Sequence, residues 1–510
     1  MITVALNEAN FEYDIHSLVK AFYPEYEVLV RAVCETEEES ERQKWKLEEF
    51  HKQVLQADIH LEVEYKKDAI AFSFLKPVIL KGEISIDPSD RKETKNRLKQ
   101  KLYEMLAEFS GRTLPWGTLT GIRPTKIPMA MLEEGQPEDE IRTYMRETYF
   151  ATDEKIDLSI QVAKREMELL SRIDYENGYS LYIGIPFCPT TCLYCSFTSY
   201  PISVWKKRVD EYLDALCREI VYTAKRFRGK YLNAVYIGGG TPTSLEPEQL
   251  ERLITVIGES FGLFDGQKRI VYGGHLLEFT VEAGRPDSIT AEKLEVLRRH
   301  NISRISINPQ TMKEETLQLI GRRHTVEQTR ESFALARDMG FDNINMDLIV
   351  GLPEENLDDV RRTMAAVADL APDNVTVHSL AVKRAARLRM ERENYTHLHM
   401  VNTWETIDLT ARCCRDMGLS PYYLYRQKNM AGNFENVGYA APGKAGVYNI
   451  LIMEEKQTIM ALGAGATTKV VYDHGNRIER VGNVKDLANY LARVDEMIEK
   501  KEELLARVGL

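Results

Sequence analysis

A chain of 510 residues with 44% hydrophobic and 28% charged residues is long enough for two or three domains and has the make-up of an ordinary globular protein. Its 67 Lys and Arg stand against 78 Asp and Glu, a formal net charge of -11, which argues against a nucleic-acid binder that works by counterion release. No run of about 18 apolar residues could span a bilayer, and the opening MITVALNEANFEYD has no basic segment followed by an apolar one, so a cytoplasmic protein with reduced thiols is expected.

Residues 1–110 mix strand-like runs (YEVLVRAV, IHLEVEYK, AIAFSF) with a charged helical stretch near RKETKNRLKQKLYEMLAEF. They predict a small N-terminal α+β domain whose role is not readable. Residues 111–175 read as a helical connector. From 176 to 380, short β-rich apolar segments (YSLYIGIP, NAVYIGGG, LLEFTVEA, ISRISINP, DNINMDLIVG, DNVTVHSL) alternate with amphipathic helical ones such as VDEYLDALCREIVYTAKRF. Repeated β/α units of this kind predict the α/β class, with a parallel sheet forming a partial (β/α)6 barrel and its working loops after the carboxyl ends of the strands. Residues 381–510 read as a mainly helical cap with a few strands that would cover a substrate.

The loop after the first of these strands, GIPFCPTTCLYCSF, carries Cys188, Cys192 and Cys195, three of the chain's seven cysteines. Three is an odd number for disulfides, and the three lie too close together for ordinary bridges. Zinc sites are usually built from two separated ligand pairs, and no partner pair appears elsewhere. A cubane iron-sulfur cluster takes one thiolate per iron, so three thiolates leave one iron open. Cys34, Cys217, Cys413 and Cys414 read as core thiols.

The other strand ends carry polar groups on apolar runs. Gly238, Gly239 and Gly240 in YIGGGTPTSL either let backbone approach a ligand or make a tight turn. Glu282 in FTVEAG, Gln310 in RISINPQ, Arg322 in LIGRRH and Asp347 in NINMDLIVGLP are each either satisfied polar residues or ligand contacts; their recurrence at successive strand ends favours contacts. Lys383, Arg384, Arg387 and Arg389 gather in VKRAARLR, with Arg426 and Lys428 beyond. These are either solvated charges or a clasp for carboxylates.

The spacing Cys-x3-Cys-x2-Cys, with Tyr194 before the last cysteine, resembles the signature of radical S-adenosylmethionine (SAM) enzymes. The run GIPFCPTTCLYC, GGGTPT, VEA, NPQ, GRRH, DLIVGLP is similar in order and spacing to the oxygen-independent coproporphyrinogen III oxidase family. LPWGTLTGIRPTKI and PYYLYRQKNMAGNFENVGYAAPGKAGVYNILIMEE look most like its HemZ-like branch. The resemblance implies a 4Fe-4S cluster on Cys188, Cys192 and Cys195, with SAM on the open iron. It implies Gly238, Gly239, Gly240, Thr241, Glu282 and Arg322 at the methionyl end of SAM, Gln310 and Asp347 at its ribose, and Tyr182 at a catalytic position near the cluster. It also implies a tetrapyrrole substrate, oxidative decarboxylation of coproporphyrinogen III in heme biosynthesis, and a flavodoxin- or ferredoxin-like electron donor, with Arg384, Arg387, Arg426 and Lys428 gripping propionates. Three positions depart from the decarboxylase pattern: Ser196-Phe197 stands where a fourth cysteine would follow, Gly184 replaces a histidine, and the heme-chaperone branch's His-Asn pair is Tyr448-Asn449. A heme carrier that keeps the cluster, or another radical reaction on heme, are the competing expectations.

Overall fold

The computed structural model describes residues 1–33, 41–383, 385–395, 397–427 and 434–510, which form two compact units. The first comprises 1–164 with 426–434. Its sheet runs in the order β2-β1-β3-β4-β5, from β1 (Ile2–Leu6), β2 (Val28–Ala32), β3 (Ile59–Tyr65), β4 (Ala69–Lys76) and β5 (Leu80–Ser85). The helix Arg91–Ser110, capped by Asp90 at its start and by left-handed Gly111 at its end, buries Leu98, Leu102, Met105 and Leu106 in a core with Ile2, Val4, Leu61, Phe72 and Phe74.

The second unit comprises 165–425 and 435–510. Its strands are β6 (Gly178–Ile185), β7 (Phe187–Cys188), β8 (Tyr200–Pro201), β9 (Tyr231–Gly239), β10 (Glu278–Gly284), β11 (Arg304–Ile307), β12 (Ile344–Val350) and β13 (Asn374–Ser379), followed by β14 (Ser420–Tyr425), β15 (Asn436–Ala440), β16 (Thr458–Leu462), β17 (Thr467–Tyr472) and β18 (Arg477–Gly482). Apart from the β7-β8 pair, they form one eleven-stranded sheet in which β6, β9, β10, β11, β12 and β13 lie side by side in chain order, all parallel. Their near-continuous burial, complete along β11, is that of a parallel sheet covered on both faces. The amphipathic helix Val209–Arg226 turns Tyr212, Leu213, Leu216 and Ile220 inward. Thr325 and Asn356 make capping boxes that start the helices Val326–Asp338 and Leu357–Leu370.

The C-terminal segment contributes β14 to β18 as well as helices. β15 runs antiparallel beside β13, and β16 adds parallel to β6 at the other end of the series. SPYYLY, NVGYA and TIMAL are almost wholly buried, so they lack the alternation that announces a half-exposed strand. Among the described residues no helix is long and apolar enough to cross a membrane.

Register decides which side chains meet. Tyr182 is level with Tyr236, Tyr236 with Thr280 and Thr280 with Arg304. One step toward the carboxyl ends, Gly184 faces Gly238 and Glu282 faces Ser306. Alternate positions along parallel strands point to one face, and here that face is polar.

Candidate active site

The cysteine loop is fastened on several sides. Leu193 N–H donates to the Ile320 carbonyl at 2.9 Å, and Leu388 N–H donates to the Leu193 carbonyl at 3.0 Å. The Thr190 hydroxyl donates to the Gly321 carbonyl at 2.8 Å. Arg285, itself 2% exposed, donates through Nη1 to both Thr190 O at 3.0 Å and Thr190 Oγ1 at 2.6 Å. Its remaining edge makes a bidentate pair with Asp287 at 2.9 and 2.6 Å.

The stretch Gly238–Thr241 runs against the same loop. Gly240 N–H donates to Ile185 O at 2.8 Å and Thr241 N–H to Phe187 O at 2.7 Å, while Thr241 Oγ1 lies 3.6 Å from Cys188 Sγ. A Cβ at Gly240 would sit 2.5 Å from Phe187 O and 2.9 Å from Cys188 Sγ, and one at Gly238 would sit 3.0 Å from the Glu282 carboxyl. Two of the three glycines therefore make room for the protein's own atoms. Gly239, at φ +113°, needs the freedom of glycine for its backbone.

All six described cysteines are free. Burial pushes the Cys188 thiol up to about 12, against a hydroxyl contact from Thr241, with Cys192 and Cys195 adding to the shift; burial raises Cys195 too. Buried thiolates are costly without a cation, and iron supplies one while displacing the protons. Among the described residues no three His, Cys, Asp or Glu side chains converge on a point that could hold a single ion. A cubane with one thiolate per iron needs its thiols spread apart, so this donor set fits a cluster better than a lone metal.

Behind the loop the strand ends gather a polar set, half-buried at Tyr236, Glu282 and Asp347 and buried at Gln310 and Arg322. Tyr236 Oη donates to Glu282 Oε1. Burial raises Glu282 to about 7, with the Tyr236 hydrogen bond opposing and the charge of Asp347 pushing further up. Asp347 goes the other way: burial would raise it, but His378, Asn345 and the Arg304 charge together hold it below its ordinary value. Asn345 Nδ2 donates to Asp347 Oδ1 at 2.7 Å, and His378 Nε2 lies 3.9 Å from the same oxygen. Gln310 has left-handed backbone, φ 69°, and is stitched to β12 by Gln310 N–H to Asp347 O at 3.0 Å and Ile349 N–H to Gln310 O at 2.9 Å. A non-glycine residue held there is strained, which is common at working sites. Arg322 donates to Asn308 O at 2.5 Å and stays charged despite burial because Tyr194 and Cys192 lie beside it.

Tyr182 belongs to a stack of three phenols. Its ring lies 6.3 Å from Tyr236 and 6.4 Å from Tyr448, and Tyr236 lies 4.6 Å from Tyr448, all near parallel. Burial raises all three hydroxyls and keeps them neutral. Tyr236, His378 and Asn345 escaped the sequence reading, which singled out Tyr448 only as a departure from a family pattern; the available signal was their even spacing along strands already recognised, Tyr236 two residues before Gly238 and Asn345 two before Asp347.

Arg387 is exposed and pairs with Glu391 at 3.3 Å. Arg426 belongs to the first unit, where its guanidinium donates to Leu119 O and lies 5.9 Å from the Trp116 ring centroid. Arg384 and Lys428 lie outside the described residues, as does Cys34. Cys414 is buried, while Cys217 and Cys413 are partly so.

Residues 182–367 match the radical SAM superfamily. The chain is 38% identical over 420 residues to the oxygen-independent coproporphyrinogen-III oxidase-like protein HemZ of Bacillus subtilis, covering 82% of each. It belongs to that family. The heme chaperone HemW of Bacillus subtilis is 32% identical over 61% of this chain and 76% of its own. The coproporphyrinogen III oxidase HemN of Escherichia coli, a radical SAM enzyme, shares the fold at TM-score 0.50 and 24% identity, over 65% of this chain and 72% of its own. As a member of the radical SAM superfamily, the HemZ-like chain uses a 4Fe-4S cluster and SAM.

Proposed function

We propose that this chain is a radical SAM oxidoreductase that decarboxylates coproporphyrinogen III, a cytoplasmic step of heme biosynthesis. The observation that supports the reading is the polar set of half-buried Glu282 and Asp347 with buried Gln310 and Arg322 behind a three-cysteine loop, more polar chemistry than a passive carrier requires. When bound, the reduced cluster and SAM would supply a carbon radical able to take a hydrogen atom from the carbon β to a propionate carboxylate, and the product would form vinyl by losing CO2 and passing one electron to a separate one-electron acceptor. Cys188, Cys192 and Cys195 hold three irons and leave the fourth open. Gly238, Gly239, Thr241, Glu282 and Arg322 receive the ammonium and carboxylate of the methionyl end, and Gln310 with Asp347 receives the ribose hydroxyls. Gly240 acts through Cys188, whose position it permits. Tyr182, neutral through burial, orients the reacting face.

The relative named a heme chaperone supports a second reading, a heme carrier. Against it, the position resembling the chaperone branch's His-Asn pair is Tyr448-Asn449, and these side chains are engaged with Tyr236 and with Tyr422 Oη at 3.0 Å, so no imidazole is offered to a heme iron there. Anaerobic assay of the reconstituted protein with SAM, a reductant and coproporphyrinogen III decides between them. The expected outcome is 5′-deoxyadenosine formation stimulated by coproporphyrinogen III, with CO2-loss products by mass spectrometry. Stoichiometric heme binding with no stimulated SAM cleavage would favour the carrier.

A further inference from the structure

The helix Arg91–Ser110 opens on Arg91, Lys92, Lys95, Arg97, Lys99 and Lys101 against the single acid Glu93, in a chain whose net charge is -11. Of these cations Lys99 is the buried one, 9% exposed. Its Nζ donates to Thr120 Oγ1 at 3.1 Å, one bond for an ammonium with three donors, and it forms no ion pair among the described residues. A second buried cation holds the same turn. Arg426, 3% exposed, donates from its guanidinium to Leu119 O and from its backbone N–H to Ile122 O at 2.8 Å. Residues 119–122 are thus tied to two buried positive charges. Burial pushes Lys99 down to about 8, and the charges of Lys95 and Arg426 add to the shift against the pull of Asp14. Like charges withdrawn from water together are costly unless an anion joins them. The turn is open at Gly121, which is exposed and where a Cβ would meet nothing within 4 Å.

We propose that Lys99, Thr120 and Arg426 form a site in the first unit for a dianionic oxyanion of the phosphate class, free or as the terminal group of a nucleotide. Two cations call for two negative charges, which a phosphate monoester nearly supplies at neutral pH and a single carboxylate does not. The Lys99 ammonium keeps donors to spare, and the Thr120 hydroxyl, which accepts from Lys99, has its own proton to donate. Arg426 adds a guanidinium that stays charged at any working pH. All three residues belong to the first unit, and neither the cluster nor SAM uses any of them. The N-terminal domain, whose role is not readable in the sequence, thereby acquires a binding function of its own.

The test is calorimetric titration of the reconstituted holoprotein with sodium sulfate, inorganic phosphate and ADP, at an ionic strength held constant with NaCl. Saturable binding is expected, about tenfold weaker in Lys99→Met, which loses a charged hydrogen-bond donor. Lys101→Met, on the same helix but paired with Glu104 at 3.2 Å, should bind as wild type does. Tighter binding of ADP than of phosphate assigns the oxyanion to a nucleotide, and equal or weaker binding assigns it to the free anion; the site stands in both cases. In anion-free buffer Lys99→Met should unfold in urea no earlier than wild type, because it deletes a buried charge that lacks a counter-charge. Added sulfate should then raise the wild-type midpoint and leave that of the variant where it was. Absence of saturable binding by all three anions, wild-type affinity in Lys99→Met, an equal loss in Lys101→Met, or earlier unfolding of Lys99→Met without anion overturns the proposal. So does displacement of sulfate by coproporphyrin, which would hand the two cations to propionates.

Discussion

Glu282 and Asp347 are carboxylates on strands two places apart in the sheet, and their surroundings drive them in opposite directions. For Glu282 burial, with the charge of Asp347 added to it, outweighs the Tyr236 phenol, the Gly239 N–H and the Arg304 charge, and it stands near 7. Asp347 feels the same Arg304 charge but has His378 and Asn345 beside it as well, and it stays ionised despite burial. For Glu282 the folded value lies above the ordinary 4.5, so the folded chain binds the proton more tightly than the unfolded one. The stability this provides is complete below about 4.5 and is lost as pH rises through about 7. Glu282→Gln removes the titration. The apparent melting midpoints of the two apoproteins should nearly coincide in pH dependence below about pH 4.5, and the gap should open in favour of Gln by about pH 8.5, on the order of 3 kcal/mol at most. A gap that does not change with pH contradicts the assignment. Asp347 does not confuse the comparison, because its contribution is lost only below its ordinary 3.8. A charge inside FTVEAG or INMDLIV is visible in the sequence. The phenol or imidazole facing it is not, because the pairing of 236 with 282, or of 347 with 378, exists only once strand register is set.

At the scale of elements, the cysteine loop is a short irregular stretch given shape by its neighbours. Its three thiols were legible because they crowd into one loop. Its supports were not: Arg285 in EAGRPDS looks like a surface arginine, and Gly240 looks like one more glycine near a ligand. Folding places Arg285 across the sheet from the loop, where it holds both polar atoms of Thr190 while paired with Asp287. Arg285→Ala frees the loop and leaves Asp287 without its partner; breaking a buried pair in this way typically costs about 3–5 kcal/mol. The expected result is iron loss to a chelator about tenfold faster than wild type, with far-ultraviolet circular dichroism unchanged. Arg285→Lys should restore little, because one ammonium cannot hold Thr190 and a bidentate carboxylate together. If both variants keep their iron like wild type, the loop is positioned by its backbone hydrogen bonds alone.

For the whole molecule, the parallel core was legible because six β/α repeats follow one another along the chain, and each new strand joins the last. In the C-terminal segment a few strands were expected but not their places in the sheet, since these short buried strands pair with partners far away in sequence, β16 with β6 most of all. What secures that return is a buried ion pair. Glu219 and Lys501 both have fully buried side chains, and Glu219 also accepts from Gly463 N–H at 2.8 Å, Asn483 Nδ2 at 2.9 Å and Tyr490 Oη at 2.5 Å. Lys501 Nζ donates in turn to Ala461 O at 2.9 Å, at the end of β16. The helix Val494–Val508 is thereby tied to Val209–Arg226, whose Tyr212 hydroxyl donates to Gly184 O at 2.6 Å, just before the cysteine loop. Burial opposes the Glu219 charge, but Lys501 and the hydrogen bonds outweigh it and lower its pKa, so its contribution is present at neutral pH and lost as acid protonates it. Lys501→Met strands that carboxylate among dipoles without its counter-charge, and should lower stability by about 3–5 kcal/mol in chemical denaturation at neutral pH. Replacing both, as Glu219→Gln/Lys501→Met, removes the charge as well as its partner and should recover part of the loss, since a neutral amide can still accept from Tyr490 and Gly463. A double variant no more stable than Lys501→Met alone would show that the lysine acts through its bond to Ala461, fastening β16 directly, and not through the charge on Glu219.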